Sequence, residues 1–122
     1  MTKRPRVLLA EDHAAVAKAV SRMLSLDCDV VGHVPDGAAV LEATQRLRPD
    51  VIVLDLNLPN VHGLEACRQV TQMNPHPKII VFTAMNDPEL MQRSFEVGAS
   101  AFLSKGTGDS ALLPTIKRLC ID

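Results

Sequence analysis

Five side chains of this sequence are of types that can carry phosphoryl chemistry, and each lies at the end of a short apolar run. The clearest is Asp55, which follows Val51-Ile52-Val53-Leu54 and precedes Leu56-Asn57-Leu58-Pro59-Asn60. Four apolar residues, three of them β-branched, predict a strand buried on both faces, and the Leu58-Pro59-Asn60 turn stops it. Glu11 and Asp12 follow a first run at 6–10, Thr83 closes a run that starts at Lys78, and Lys105 follows Ala101-Phe102-Leu103-Ser104. Three carboxylates brought within several ångströms of one another raise their pKa values unless cations compensate. Lys105 brings one positive charge, and a divalent ion would bring the rest. All-oxygen ligands with room for water suit Mg2+. A metal, a lysine and a hydroxyl around one carboxylate form a site for a phosphoryl group. The metal and Lys105 would neutralise its equatorial oxygens, Thr83 would donate a hydrogen bond, and Asp55 would attack in line.

These residues meet only if the elements beneath them are strands of one sheet. Residues 14–26 place Val16, Val20, Met23 and Leu24 at helical spacing, and 27–34 read as a short edge strand. Pro35-Asp36-Gly37 opens a helix carrying Val40, Leu41 and Leu47, which Arg48-Pro49 stops, and 50–54 form the strand before Asp55. Gly63 loosens the following loop. Residues 64–73 predict a helix with Leu64, Cys67, Val70 and Thr71 facing inward, ended by Asn74-Pro75-His76-Pro77. After the strand 78–83, Asp87 and Pro88 read as an N-cap and first helical residue, with Leu90, Met91, Phe95 and Val97 as the apolar positions. Strand 101–104 precedes a last helix capped at or near Asp109 and carrying Leu112, Leu113, Ile116 and Leu119. Pro114 would cost that helix a backbone donor if it began at Ser110, so a later start or a bend is expected. Five strands alternating with five helices predict a parallel sheet covered on both faces, a pattern that resembles the flavodoxin-like doubly wound α/β fold, and that resemblance implies the strand order 2-1-3-4-5. That order sets the ends of the first and third strands side by side at the switch point, where such sheets bind their ligands.

Composition narrows the function. A chain of 122 residues with 47% apolar residues and a net charge of −1 is expected to form one domain, 1–122, with no bias toward nucleic acid or a membrane. Its apolar runs fall far short of the roughly 20 residues of a membrane span, and the start, MTKRPR, has no signal-peptide core, so a cytoplasmic protein is expected. Cys28, Cys67 and Cys120 lack metal-ligand or disulfide spacing and read as reduced structural thiols. His13, His33, His62 and His76 are as scattered, which argues against zinc. Three Phe, with no Tyr or Trp, leave no stacking platform for single strands.

Taken in order, Glu11-Asp12, Asp55 with Leu56-Asn57-Leu58-Pro59, Gly63, Thr83-Ala84, and Phe102 three residues before Lys105 resemble a response regulator receiver domain of two-component signalling over essentially the whole chain. The resemblance implies that Asp55 takes a phosphoryl group from a phosphohistidine of a sensor histidine kinase. It implies Mg2+ held by Asp12, Asp55 and the backbone carbonyl of Asn57, with Glu11 acting through a metal-bound water. It also implies a Thr83–Phe102 switch, a homodimer on phosphorylation, and DNA contact only through an output domain outside this chain. Departures stand beside these matches. Glu11 replaces the more frequent Asp, which should shift the metal's water shell, His62 takes the place of a common Asp and reads as a solvated loop residue, and Phe102 lacks the hydroxyl of a frequent tyrosine. Gly106 follows Lys105 where the family has proline. A trans Lys105–Gly106 bond is expected, since a non-proline cis bond costs roughly 2.5–4 kcal/mol. Leu103-Ser104-Lys105-Gly106 resembles receivers attached to helix-turn-helix outputs of the nitrate-response type.

Two enzyme readings on a similar sheet lack their defining residues. An aspartyl-phosphate phosphatase needs an acid two residues after its nucleophile, where Asn57 stands, and a dinucleotide site needs G-x-G-x-x-G where the chain reads Glu-Asp-His-Ala-Ala-Val. A receiver kept only for docking would have lost Asp55, Asp12 or Lys105, and all three are present.

Overall fold

A computed structural model describes residues 4–120. Residues 1–3, where the MTKRPR segment begins, and 121–122, which the expected 1–122 unit includes, lie outside the described residues. Strands β1 (Arg6–Ala10), β2 (Asp29–Val34), β3 (Val51–Leu54), β4 (Lys78–Thr83) and β5 (Ala101–Ser104) form one parallel sheet in the order β2-β1-β3-β4-β5, as expected. Successive residues of a strand point to opposite faces, so each inner strand feeds two cores. Leu8, Ala10, Ile52, Leu54, Ile79 and Val81 pack on one face with residues of α2 (Val40–Leu47) and α3 (Gly63–Thr71). Val7, Leu9, Val51, Val53, Ile80 and Phe82 pack on the other with α1 (Ala14–Leu24) and α5 (Leu112–Leu119). Ile52 and Ile80 are fully buried on opposite faces, and each burial contributes roughly 1.5–3 kcal/mol.

The helices depart from expectation mostly at their ends. α1 stops at Leu24, two residues early, and Leu26 is 83% exposed. Arg4 explains the stop: its guanidinium donates to the carbonyls of Ser25, Leu26 and Cys28 and pairs with Asp29 at 3.0 Å, so the chain leaves the helix to be held from outside. A 3-10 turn, Gly37–Ala39, precedes α2, with the Asp36 side chain accepting from the Ala39 N–H. α3 ends at Thr71 rather than at 73.

In α4 (Pro88–Glu96) Asp87 caps and Pro88 leads, as read, but the inward face is different. Met91 and Phe95 are 40% and 47% exposed, and the buried side chain of the helix is Ser94, whose hydroxyl donates to the Leu90 carbonyl at 2.8 Å. Satisfying its hydroxyl within the helix lets a polar residue replace an apolar one there. Asp109 does not cap α5; its Oδ1 accepts from the Gly106 N–H at 2.9 Å, and a 3-10 turn, Asp109–Ala111, comes first. With α5 starting at Leu112, Pro114 falls in the first turn, where no intrahelical bond needs its N–H. The Lys105–Gly106 peptide is trans, and Gly106 takes φ 88°, a conformation glycine tolerates. Gly63 does not loosen its loop. It is buried at the start of α3, and a Cβ there would lie 2.5 Å from the Leu56 Cα and 2.6 Å from the Asp55 carbonyl oxygen, so it lets α3 lie directly across the end of β3.

Candidate phosphoryl site

The strand order brings the ends of β1, β3, β4 and β5 together, and backbone bonds fix their relative height. The Asp55 N–H donates to the Ala10 carbonyl at 3.0 Å, carrying the β1–β3 ladder one residue further, and the Lys105 N–H donates to the Thr83 carbonyl at 2.8 Å. Asp55 and Glu11 emerge 5% and 2% exposed. Buried carboxylates are costly unless paired, and both meet the same cation. Lys105 Nζ donates to Asp55 Oδ2 at 2.8 Å and to Glu11 Oε1. Burial works against the charge on Lys105, but its hydrogen bonds and ion pairs with Asp55 and Glu11 outweigh that cost and hold the ammonium above the ordinary lysine value. Asp55 Oδ1 accepts from the Asn57 N–H at 3.1 Å, so both carboxylate oxygens are aimed.

Glu11, one methylene longer than aspartate, has its second oxygen engaged as well. Oε2 accepts from the His13 N–H at 3.1 Å and lies 3.2 Å from His13 Nδ1, which is also 3.1 Å from Asp12 Oδ1. One donor atom from each of Glu11, Asp12 and His13 lies within 4.8 Å of the others. The adjacency of His13 to the acidic pair was the available signal for its part in this cluster, and scatter along the chain hid it. Asp12 is more open, with 30% of its side chain exposed.

Thr83 is fully buried, and its Oγ1 accepts from the Met85 N–H at 3.4 Å, a contact that uses a lone pair and leaves the hydroxyl proton to donate. Phe102 pairs with Val81 across the β4–β5 ladder and is partly buried against the core on the α2–α3 face. His62 is exposed, and its Nδ1 accepts from the Leu64 N–H at 3.1 Å, so it caps α3. Asp12 and Glu11 bring hard oxygens of the kind that suits Mg2+, and the exposure of Asp12 leaves room for waters, whereas Asp55, with the Asn57 N–H on its Oδ1, stands outside the Glu11–Asp12–His13 group.

A family model of the response regulator receiver domain matches residues 7–117. The chain belongs to that family. Response regulator GacA of Pseudomonas viridiflava is 32% identical over 115 residues, covering 92% of this receiver and 53% of the relative. Transcriptional regulatory protein DegU of Brevibacillus brevis is 31% identical over 114 residues, covering 92% and 48%. The chain thus spans about half the length of these relatives. Among solved structures, a two-component response regulator of the LuxR family from Aurantimonas sp. SI85-9A1 superposes with a TM-score of 0.91 at 27% identity, over 97% of this chain and 86% of that one. The response regulator domain of Thermotoga maritima CheB gives 0.90 at 25% identity, over 98% and 99%. The receiver is therefore a two-component signalling module rather than a classical enzyme. Among its described residues no helix is long and apolar enough to cross a membrane.

Proposed function

We propose that this receiver, as one unit over 1–122, is a switch set by phosphorylation of Asp55. The observation that carries the assignment is the Lys105 Nζ contact with Asp55 Oδ2 at 2.8 Å on a carboxylate only 5% exposed. A carboxylate oxygen of Asp55 forms a bond to phosphorus as the phosphorus–nitrogen bond of a kinase phosphohistidine breaks. The electron pair leaves with the imidazole, which takes up a proton. Lys105 neutralises a phosphoryl oxygen, the Thr83 hydroxyl donates to another, and Asn57 keeps the carboxylate aimed. Water later attacks the acyl phosphate and returns Asp55 with inorganic phosphate. Mg2+, held by Asp12, Asp55 and the Asn57 backbone carbonyl with Glu11 through a water, supplies further charge neutralisation when bound.

The receiver is cytoplasmic, and its partner is a sensor histidine kinase. The similarity to DegU, a transcriptional regulatory protein, supports transcription as the output, reached through a DNA-binding domain outside this chain, with pairing of two receivers on phosphorylation. Within the receiver, a hydrogen bond from Thr83 to the phosphoryl group draws in the loop after β4 and biases Phe102 inward, altering the surface of α4, β5 and α5.

Acetyl phosphate with Mg2+ should add one phosphoryl group, seen by intact-mass analysis, and peptide mapping should place it on Asp55. Undiminished labelling of Asp55→Asn would reject the site. A chelator should abolish labelling, and its persistence would remove Mg2+ from the scheme.

A further inference from the structure

We propose that His33 is a positioning residue for the phosphoryl site, acting through the peptide that joins Glu11 to Asp12. The inference rests on the function proposed above. His33 lies on β2, opposite Leu9 of β1, and its ring Nε2 is 2.6 Å from the backbone carbonyl oxygen of Glu11. A carbonyl only accepts, so Nε2 carries the proton of this bond.

The need for the bond follows from where the sheet stops. Ala10 pairs with Val34, and the Glu11 N–H still closes on the Val34 carbonyl at 3.0 Å. In a parallel ladder the Glu11 carbonyl would next accept from the backbone N–H of Asp36. The chain has turned away by then: Pro35 follows Val34, and the Asp36 side chain caps the 3-10 turn at 37–39. Among the described residues no backbone N–H donates to the Glu11 carbonyl. His33 supplies the missing donor from the side, reaching forward along its own strand.

The peptide unit is planar, so fixing the Glu11 carbonyl fixes the orientation of the Glu11–Asp12 plane and the direction in which Asp12 leaves it. Glu11 is then held at both backbone groups, by Val34 and by His33, while its carboxylate meets Lys105 and the His13 N–H. Asp12 has no such anchor in the sheet and inherits its aim from that plane. Partners that orient a metal ligand without touching the ion typically change affinity 10–100-fold when removed.

The test compares the 122-residue chain with His33→Leu, which removes the donor, and His33→Gln, whose side-chain amide can offer an N–H at similar reach. Mg2+ affinity is read by calorimetry, folding by thermal unfolding, and the Glu11 carbonyl by its carbon-13 shift. Loss of the donor should weaken Mg2+ binding roughly tenfold and move the Glu11 carbonyl shift, with Gln restoring both. Equal Mg2+ affinity in the wild type and His33→Leu would overturn the inference, and so would loss of affinity in Leu that Gln fails to restore while both variants fold. Asp12→Ala separates the two readings. If it loses Mg2+ while His33→Leu does not, only the role of His33 falls; if the wild type binds no Mg2+, the metal scheme falls and the role of His33 with it.

Discussion

Two buried carboxylates share one ammonium at this site, and that sharing was only half legible in the sequence. The residue types at the strand ends announced a cation among acids. The reach of Glu11 to Lys105, and the approach of His33 to the Glu11 carbonyl, depend on strand register and on where β2 ends, which no spacing along the chain encodes. The cysteines read as reduced structural thiols, and Cys67 is a buried one. Burial pushes Cys67 from an ordinary 9.0 up to about 11, and its Sγ faces the Val97 carbonyl at 3.8 Å as a donor. The unfolded chain therefore releases this proton first. The stability it contributes is complete below pH 9 and is lost as pH rises toward about 11, a change of roughly 3 kcal/mol for a shift of about two units. Urea midpoints of the wild type should fall more steeply over that window than those of Cys67→Ala. Parallel curves would show that the thiol stays protonated in neither state or in both.

Strands and helices were legible to different depths. β1, β4 and β5 have the expected bounds, because a polar residue marks at least one end of each short apolar run: Arg6, Lys78 and Thr83, and Ser104. Helix ends are set by partners distant in the chain, as Arg4 does for α1, or by a 3-10 turn that the apolar spacing does not register, as before α2 and α5. α4 shows the deeper failure, since Met91 and Phe95 have helical spacing yet remain close to half exposed. Among the residues of α4 only Ser94 is buried, whereas α1 buries Ala17, Val20 and Leu24. Little apolar area ties α4 to the sheet, so its amides should exchange with deuterium through local opening, well before those of α1. Equal protection of the two helices would mean that α4 opens only with the whole fold.

For the molecule as a whole, the sheet is a wall between two cores, and Phe102 leans into the one on the α2–α3 face. A phosphoryl signal carried by Thr83 should therefore be coupled to Phe102 and its neighbours. Thr83→Ala should leave phosphorylation of Asp55 largely intact while suppressing the phosphate-induced NMR shifts around Phe102; shifts of wild-type size in that variant would show that Thr83 does not carry the signal. The same strand order has a mechanical side. The chain enters the sheet at β1, clasped by β2 and β3, and leaves it at β5, which pairs with β4 alone. Because every strand is parallel, a pull from the two ends loads both β1 and β5 along their axes, in shear, but β1 is held by two ladders and β5 by one. Held between a bead and a surface, the molecule should give way first at its C-terminal edge, at the lower force, and release β1 last in a single high-force step. Lys105 lies on the part that yields first, so tension along the chain should take the cation from Asp55 before the central strands have moved.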